Sequence, residues 1–293
     1  MSNYGILGWP LERSYSPKIH NFLFKQLSID SNYRLIKLNE INNKNVEELN
    51  KNYSGYNVTI PYKEKIIEAT KEPILDEHVK KIGSVNTVKN QDDETFFYNT
   101  DYSGFLYFFE IINFDVKSKK VFILGNGGSS KSIHYALSLL DVETTIVSRR
   151  NSQRTITYDD LNKRAKDVDV LINTTPVGMP PYENETLEIK YENFDNLEFV
   201  LNLGYGLNNT FLKKFDESIL KYDGIGILIC QAIESFNIWT SSNIIISSIY
   251  DDVHRVVSDF QALENEVSDL KWKVGDVERM LSDKIDEIRK RDQ

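Results

Sequence analysis

Apolar residues along the first hundred positions follow two different spacings. Four short runs are rich in β-branched and aromatic residues and predict β-strands, at positions 4–8, 33–38, 56–60 and 84–88. The stretches between them resemble helices, as in 16–27, where Pro17 stands in the first turn. Strands that alternate with helices predict an α/β fold.

A second α/β unit is predicted from Lys120 onwards. The apolar run KVFILG is followed by the glycine-rich turn NGGSS, by the amphipathic stretch KSIHYALSLL and by the strand-like TTIVS. Two further predicted strands, VDVLIN and LEFVLN, come later. A strand, glycine turn, helix and strand in this order form the nucleotide-binding half of a doubly wound sheet. We therefore expect a Rossmann-like domain.

The last fifty residues change in character and predict a long helix. Their apolar residues fall at alternating spacings of four and three, which is the heptad repeat of a coiled coil. The a positions are Val253, Phe260, Val267, Val274 and Leu281, and the d positions are Ile249, Val256, Leu263, Leu270 and Val277. The pattern favours self-association, leaning towards a parallel pair. The alternative is one amphipathic helix folded back on its own body.

The charges beside this seam give a mixed signal for a parallel pair. Two interchain pairs are attractive and one is repulsive: Glu266 with Lys271, Lys273 with Glu278, and Asp259 with Glu264. Asparagine is frequent in the body of the chain but occurs once after Asn243. The tail is therefore either a native extension or an appended segment.

Composition and charge narrow the classes of function. The 293 residues carry 35 basic and 44 acidic side chains, a net charge of −9, which argues against nucleic acid or an anionic membrane as a partner. Cys230 is the single cysteine and there are four histidines, so neither a disulfide nor a structural metal is expected. The first residues do not resemble a signal peptide, and no apolar run reaches the roughly 20 residues of a membrane span. We expect a cytoplasmic protein.

The glycine turn predicts a phosphate-binding site. Gly125, Gly127 and Gly128 let the backbone approach a ligand at the start of a helix. Ser130 stands where both the dinucleotide fingerprint and the P-loop require glycine, which makes a nucleotide triphosphatase a distant alternative. The next strand ends in the segment 148–150, Ser-Arg-Arg, where an NAD site usually has an acid. Two guanidinium groups suit the 2′-phosphate of NADP.

Several stretches match, in order, the motifs of one family. NVTIPYKE is similar to the Asn-Val-Thr-x-Pro-Phe-Lys-Glu motif of shikimate dehydrogenases, and GWPLERSYSPKIHN resembles their opening motif. The later motifs are matched by GSVNTV, YNTDYSGF, ILGNGGSSKS, INTTPVGM, LGYGLNNTFL and DGIGILICQAIESFNIW. The resemblance covers about residues 1–243 and leaves the tail outside.

The resemblance implies the NADP-dependent, reversible reduction of 3-dehydroshikimate to shikimate, a step towards aromatic amino acids. It implies Lys63 and Asp101 as the catalytic proton-transfer pair, and a lysine ammonium beside a developing alkoxide can both stabilise its charge and deliver the proton. The implied substrate ligands are Ser14, Ser16, Thr59, Asn86, Tyr205 and Gln231. The implied cofactor ligands are Gly125, Gly127, Gly128, Ser129, Ser148, Arg149, Arg150, Thr174 and Gly226. No metal is implied.

The resemblance implies a discontinuous α/β substrate domain around a Rossmann-like NADP-binding domain. The heptad pattern adds a coiled-coil helix, through which we expect the protein to form a homo-oligomer. The substrate domain comprises residues 1–103 and 224–248, the NADP domain 104–223 and the coiled coil 249–293.

Some positions depart from the family pattern. Arg13, Ser148 and Ile227 stand where the family usually has histidine, asparagine and methionine, and the segment between Arg150 and Asp169 is short. We expect these differences to change affinity more than reaction type. Two alternatives stay open. One is an enzyme that also accepts quinate, and the other is a catalytically idle NADP-binding module on a coiled-coil scaffold.

Overall fold

Two six-stranded sheets and one long C-terminal helix organise the protein in the computed structural model. The structure describes residues 2–150, 152–178, 182, 185–206 and 209–291, and in the last helix it describes side chains up to position 279, except at 275. The side chain of Leu281, predicted at an a position, lies outside this range.

The N-terminal unit alternates strands and helices, as its apolar pattern predicts. Its elements are β1 (Ser2–Gly8), α1 (Ser16–Gln26), β2 (Ser31–Lys37), α2 (Asn43–Asn52), β3 (Gly55–Val58), α3 (Lys65–Glu68), β4 (Ile74–Leu75), α4 (Glu77–Ile82), β5 (Thr87–Gln91), β6 (Glu94–Tyr98) and α5 (Thr100–Ile111). The strand order is β2-β1-β3-β5-β6-β4. The sheet is mixed, because β5 runs antiparallel to both of its neighbours while β1 is parallel to β2 and β3.

The second unit is a parallel sheet of the Rossmann type. Its elements are β7 (Val121–Leu124), α6 (Gly128–Ser138), β8 (Thr144–Val147), β9 (Thr155–Ile156), α7 (Tyr158–Lys163), β10 (Val170–Asn173), β11 (Phe199–Asn202) and β12 (Leu220–Asp223), with 3₁₀ turns at Ala165–Asp167, Tyr191–Asn193 and Leu212–Lys214. The strand order β12-β11-β10-β7-β8-β9 reverses direction between β7 and β10, and ligands of such sheets bind at this switch point. The predicted α/β class is confirmed.

The predicted element boundaries shift by a few residues around the NVTIPYKE motif. The strand predicted at 56–60 ends at Val58, and the one predicted at 84–88 begins at Thr87. The chain turns after Val58 because Pro61 has no amide to donate, and the Tyr62 amide closes the turn on the Thr59 carbonyl (2.9 Å).

Two C-terminal helices complete the fold, α8 (Ile225–Thr240) and α9 (Ile246–Arg291). α8 packs closely on α5. The helices are so near each other that a Cβ atom at Gly104 would lie 2.7 Å from the Cβ atom of Gln231. Only glycine at this position lets the two helices approach so far. The packing brings the start of α5 and the middle of α8 to the same place.

The first turns of α9 pack on the body instead of projecting freely. Val253 and Val257 are fully buried, and α9 contacts both α1 and α8. Val256, predicted at a d position, is only half-buried. From Leu263 to Val277 the apolar residues are exposed. The beginning of the helix therefore folds back on the body, and the later part whose side chains are described carries an exposed apolar stripe. Self-association through this stripe stays a prediction.

Candidate functional site

Lys63 and Asp101 meet although they lie far apart in the sequence. Lys63 follows β3 and Asp101 stands in the first turn of α5, and the lysine Nζ atom donates to the carboxylate Oδ2 atom over 2.5 Å. Their side chains expose only 13% and 18% of their surface, yet both still reach solvent. Lys63 is therefore not the free surface charge that a lone lysine after a strand usually is.

The Asp101 carboxylate is held by the amide of Asn86, and Asn86 also bonds the amide of Gln231. Asn86 and Gln231 are both predicted substrate ligands. Asn86 donates from Nδ2 to Asp101 Oδ1 (2.9 Å) and to Gln231 Oε1 (3.1 Å). The Gln231 amide in turn donates to the Leu228 carbonyl (2.9 Å), so its orientation is set by its own helix. Three predicted residues from three separate motifs thus form one connected group.

A layer of buried polar side chains lies next to this group and is hydrogen-bonded to it. Asn57 donates to the Asn86 carbonyl (3.1 Å) and to Ser235 Oγ (3.0 Å), and it accepts from the Tyr33 hydroxyl (2.6 Å). Burial raises the pKa of Tyr33 well above its usual value, opposed by a bond to Ser16, so the phenol stays protonated. Sequence reasoning did not identify Tyr33, Asn57 or Ser235 as part of the site. Asn57, the first letter of NVTIPYKE, was the available signal, because a buried amide in a strand needs partners.

Ser14 lies between β1 and α1, and Ser16 is the first residue of α1. Both are next to a stack of two tyrosines. Ser14 Oγ accepts from the Ser16 amide (3.2 Å), which is a local turn bond, and it also meets Tyr205. Tyr205 stacks on Tyr15 with 5.2 Å between ring centroids. Tyr205 follows β11 of the second sheet, so this stack joins the two α/β units across the cleft. Tyr15 was not predicted to take part.

Thr59, the remaining predicted substrate ligand, lies directly after β3 at the edge of the first sheet. Its amide donates to the Leu7 carbonyl (2.9 Å), and its side chain is half-buried. A Cβ atom at Gly8 would lie 2.5 Å from Thr59 Cγ2, so the end of β1 approaches this residue closely.

The predicted glycine turn connects β7 to the start of α6. Gly125 has φ 108°, which other residues rarely adopt, while a Cβ atom at Gly127 would meet nothing within 4 Å. A Cβ atom at Gly128 would lie 2.5 Å from Ser84 Oγ and 3.3 Å from Lys63 Cβ. Gly127 thus leaves space at the helix N-terminus, and Gly128 lets the Lys63 segment approach the turn.

Ser129 links the glycine turn to the predicted catalytic pair. Its Oγ atom accepts from Lys63 Nζ over 3.3 Å. Lys63 therefore reaches the start of α6 as well as Asp101. The motif pattern predicted both residues, and the structure shows that they touch.

The Ser-Arg-Arg turn at the end of β8 has the two arginines on its surface. Arg149 and Arg150 are exposed, while Ser148 donates to the Arg150 carbonyl and so holds the turn. Thr174, after β10, donates to the Leu124 carbonyl (2.7 Å) and lies beside Gly125. The Ser148 hydroxyl thus holds the Ser-Arg-Arg turn, and the Thr174 hydroxyl holds the end of β10 against β7. The guanidinium groups of Arg149 and Arg150 are exposed to solvent.

Gly226 is explained by packing. A Cβ atom there would lie 2.1 Å from the Phe108 ring, so the residue lets α8 begin against α5. Ile227, which replaces the family methionine, is buried. The assignment of Gly226 to the cofactor site stays a prediction.

Metals and membranes receive no support from the described residues. No group of three or more histidine, cysteine or acidic side chains among them could hold a metal ion. No helix in the described part of the chain is both long and apolar enough to cross a bilayer. The site therefore consists of an ammonium–carboxylate pair, a buried amide network and a glycine turn, which together suit proton transfer beside a nucleotide.

Comparison with known proteins agrees with this geometry. The family model for the shikimate dehydrogenase substrate binding domain matches residues 6–88. The chain is 34% identical over 259 residues to the shikimate dehydrogenase (NADP(+)) of Methanococcus maripaludis, covering 80% of this chain and 90% of the relative. It is 34% identical over 253 residues to the enzyme of the same name from Clostridium beijerinckii, covering 82% and 92%.

A solved structure shows the same architecture. Shikimate dehydrogenase 1 from Peptoclostridium difficile superimposes with a TM-score of 0.77 and 29% sequence identity, covering 89% of this chain and 99% of that one. With relatives above 30% identity that are matched over nine-tenths of their length, the chain belongs to the shikimate dehydrogenase family.

Proposed function

We propose that the protein is an NADP-dependent shikimate dehydrogenase that reversibly reduces 3-dehydroshikimate to shikimate. The observation that carries the proposal is the contact between Lys63 Nζ and Asp101 Oδ2, 2.5 Å, at a place where the unit of the mixed sheet touches the start of α6 in the Rossmann unit. The names of the relatives at 34% identity support the same reaction and cofactor.

Lys63 is the proton donor in the direction of reduction. Its ammonium stabilises the negative charge that develops on the carbonyl oxygen and delivers a proton to it, and in the reverse direction the amine takes the proton from the hydroxyl. Asp101 holds the ammonium in place, and Asn86 holds Asp101. NADPH, when bound, supplies the hydride to the carbonyl carbon.

The substrate ligands are proposed from their position around this pair. Asn86 bonds both Asp101 and Gln231, and Thr59 lies four residues before Lys63, so all three suit the ring hydroxyls of the substrate. A separate set of three hydroxyl-bearing side chains, those of Ser14, Ser16 and Tyr205, suits the carboxylate of the substrate.

The cofactor site is proposed at the switch point of the parallel sheet. The open space at Gly127 and the positive φ of Gly125 fit a phosphate group at the start of α6. The exposed guanidinium groups of Arg149 and Arg150 would hold the 2′-phosphate, and Ser129, Ser148 and Thr174 would line the same side.

We assign the substrate domain to residues 1–103 and 224–248 and the NADP domain to 104–223. The two separate sheets and the return of α8 to α5 support these limits. A cytoplasmic location is also proposed, since the single cysteine, Cys230, is free and buried.

The direct test is a comparison of four substrate–cofactor pairs with the purified full chain. Shikimate and quinate are each offered with NADP⁺ and with NAD⁺, and the appearance of reduced nicotinamide is followed by absorbance. We expect the highest kcat/KM with shikimate and NADP⁺. Comparable rates with quinate would indicate dual specificity. Binding of NADP⁺ without turnover of either acid would refute the proposal and support an idle module.

We also propose a homo-oligomer that forms through the distal part of α9. Its exposed apolar residues keep the spacing of four and three: Leu263, Val267, Leu270, Val274 and Val277 expose 43–58% of their surface. The predicted repulsive pair, Asp259 with Glu264, lies where α9 still touches the body, since Glu264 accepts a hydrogen bond from Tyr15 of its own chain. The attractive pairs of Glu266 with Lys271 and Lys273 with Glu278 stay available.

Gel filtration with light scattering tests the oligomer. The full chain should have at least twice the monomer mass, and the double variant Leu270→Asp, Val274→Asp should have the monomer mass. A chain that ends at Asn265 keeps every described contact between α9 and the body and should also be monomeric. A monomeric full chain, or an unchanged mass for both altered chains, would contradict the proposal.

A further inference from the structure

The C-terminal helix α9 contacts the segment that carries the two proposed carboxylate-binding serines. The Tyr15 hydroxyl donates to Glu264 Oε2 over 3.1 Å, across 249 positions of sequence. Phe260, one turn earlier on α9, meets the Tyr15 ring edge-on at 6.0 Å between centroids. Tyr15 stands between Ser14 and Ser16, so a shift of the backbone at Tyr15 moves both serines.

The same tyrosine continues across the cleft to the other α/β unit. Tyr15 stacks on Tyr205 at 5.2 Å and an interplanar angle of 30°, and Tyr205 meets the Ser14 hydroxyl. The order of contacts is therefore Glu264, Tyr15, Tyr205, Ser14. A residue of the tail is one aromatic ring away from the proposed carboxylate subsite.

Two further observations show that the contact is built and not incidental. Lys18 stands in the first turn of α1, and its Nζ atom lies 4.3 Å from the centroid of the Phe260 ring. This cation–π contact joins α1 to α9 at a second place. Burial and the Glu264 carboxylate raise the pKa of Tyr15 to about 12, so the phenol keeps the proton that it donates. Tyr15 is itself buried, with 5% of its surface exposed.

We propose that Glu264 is a positioning residue for substrate binding: by holding the Tyr15 hydroxyl it keeps the Tyr15–Tyr205 stack closed and so orders Ser14, Ser16 and Tyr205 around the carboxylate of the substrate. This inference rests on the proposed function and deepens it. Glu264 acts through Tyr15 and has no described contact with the proposed reacting groups, Lys63 and Asp101. It lies beyond residue 243, where the family motifs end.

The kinetic test uses the full chain with single substitutions on α9. Glu264→Ala should raise KM for shikimate on the order of tenfold, since a hydrogen bond to a charged group is lost, while kcat and KM for NADP⁺ change by less than about twofold. The matched control is Asp269→Ala, which removes an exposed acid from the same helix without a described contact to the body and should leave all three constants unchanged.

Three further measurements separate positioning from a general structural role. Glu264→Gln, whose amide oxygen still accepts a hydrogen bond, should restore most of the affinity. Tyr15→Phe should cause the same loss as Glu264→Ala, and the double variant should lose no more than either one. With the neutral methyl ester of shikimate, Glu264→Ala should cause a clearly smaller rise in KM than with shikimate.

An exchange experiment needs no substrate and separates this inference from the proposed function. In the unliganded protein, Glu264→Ala should speed amide hydrogen exchange in residues 13–16 and 203–206, whereas Asp269→Ala should not. Faster exchange in a protein that does not oxidise shikimate would refute the proposed function and still support the positioning of Tyr15. Unchanged exchange with unchanged KM would overturn the inference. A lower KM in Glu264→Ala would also overturn it, because the acid would then oppose the substrate carboxylate.

Discussion

Lys63 Nζ lies 2.5 Å from Asp101 Oδ2 and 3.3 Å from Ser129 Oγ, so one ammonium touches a residue of the first unit and a residue of the second. Gly128 lets the Lys63 segment approach the turn, because a Cβ atom there would lie 2.5 Å from Ser84 Oγ and 3.3 Å from Lys63 Cβ. The position of the Lys63 ammonium therefore depends on how the two units meet.

Replacing Lys63 should remove turnover and keep the fold. Lys63→Met has no proton to deliver and no charge to offer the developing alkoxide, so kcat should fall about 10²- to 10⁴-fold. The measurement is steady-state oxidation of shikimate, with binding of NADP⁺ checked by calorimetry. Lys65→Met, which changes an exposed lysine two residues further along at the start of α3, is the control and should keep its rate. Unchanged turnover in Lys63→Met would rule out the assigned role.

The neighbouring glycines of the turn should respond differently to the same small change. Gly128→Ala forces Ser84 and Lys63 away and should cost about 1–3 kcal/mol, a decrease in Tm of several degrees. Gly127→Ala meets nothing within 4 Å and has an ordinary φ of −98°, so the unliganded variant should melt close to the wild-type temperature. Thermal unfolding without ligand makes the comparison, and equal Tm values for the two variants would contradict it.

The two exposed arginines after β8 should select NADP over NAD. Arg149→Ala and Arg150→Ala each remove a charge-assisted bond to the 2′-phosphate and should raise KM for NADP⁺ about 10- to 100-fold. KM for NAD⁺, which has no such phosphate, should hardly change and provides the internal control. An equal rise for both cofactors would place the arginines elsewhere than at the 2′-phosphate.

Acid should weaken the fold through His20, which is fully buried and stacks on Tyr33 at 4.2 Å. Burial lowers the pKa of His20 to about 3, opposed by Asn57, whereas in the unfolded chain it is about 6.5. Between these values only the unfolded chain binds the proton. His20 therefore lowers the free energy of unfolding as the pH falls, by about 1.4 kcal/mol per pH unit.

Urea unfolding between pH 7 and pH 5 tests this dependence. His20→Gln has no group that titrates in this range, so its free energy of unfolding should fall less steeply than that of the wild type, whatever its absolute stability. The slopes are compared because the substitution also removes the contact with Tyr33. Identical slopes would show that His20 takes up its proton at the same pH in the folded and the unfolded protein, which would contradict the prediction.

The body of the fold could be predicted because its signals are local. β7 is an uninterrupted apolar run that is buried on both faces. The turn after it needs a positive φ at Gly125, and a glycine in the sequence predicts such a turn. The proposed catalytic pair, Lys63 and Asp101, could be predicted because both residues stand in stretches that match family motifs. β12 was missed because the edge strand Leu220–Asp223 is partly exposed and lacks an apolar run.

The tail shows what local pattern cannot decide. Apolar residues at 253, 256, 257 and 260 form two overlapping stripes on one helix, and only the body determines that Val257 is buried while Val256 is not. In the same way, nothing near Glu264 indicates that its partner is Tyr15. Such contacts are set by the tertiary arrangement.

A single uninterrupted helix of 46 residues is about 69 Å long at 1.5 Å per residue. The first part of α9 packs on the body beside the proposed carboxylate subsite, and the later part extends away from it, so the helix can act as one rigid body. A partner that binds the later part therefore also changes the tilt of the first part. By thermodynamic reciprocity, a substrate bound at the subsite changes the affinity for that partner. For this enzyme, self-assembly and substrate affinity would then be one equilibrium, and the apparent affinity for shikimate would depend on protein concentration.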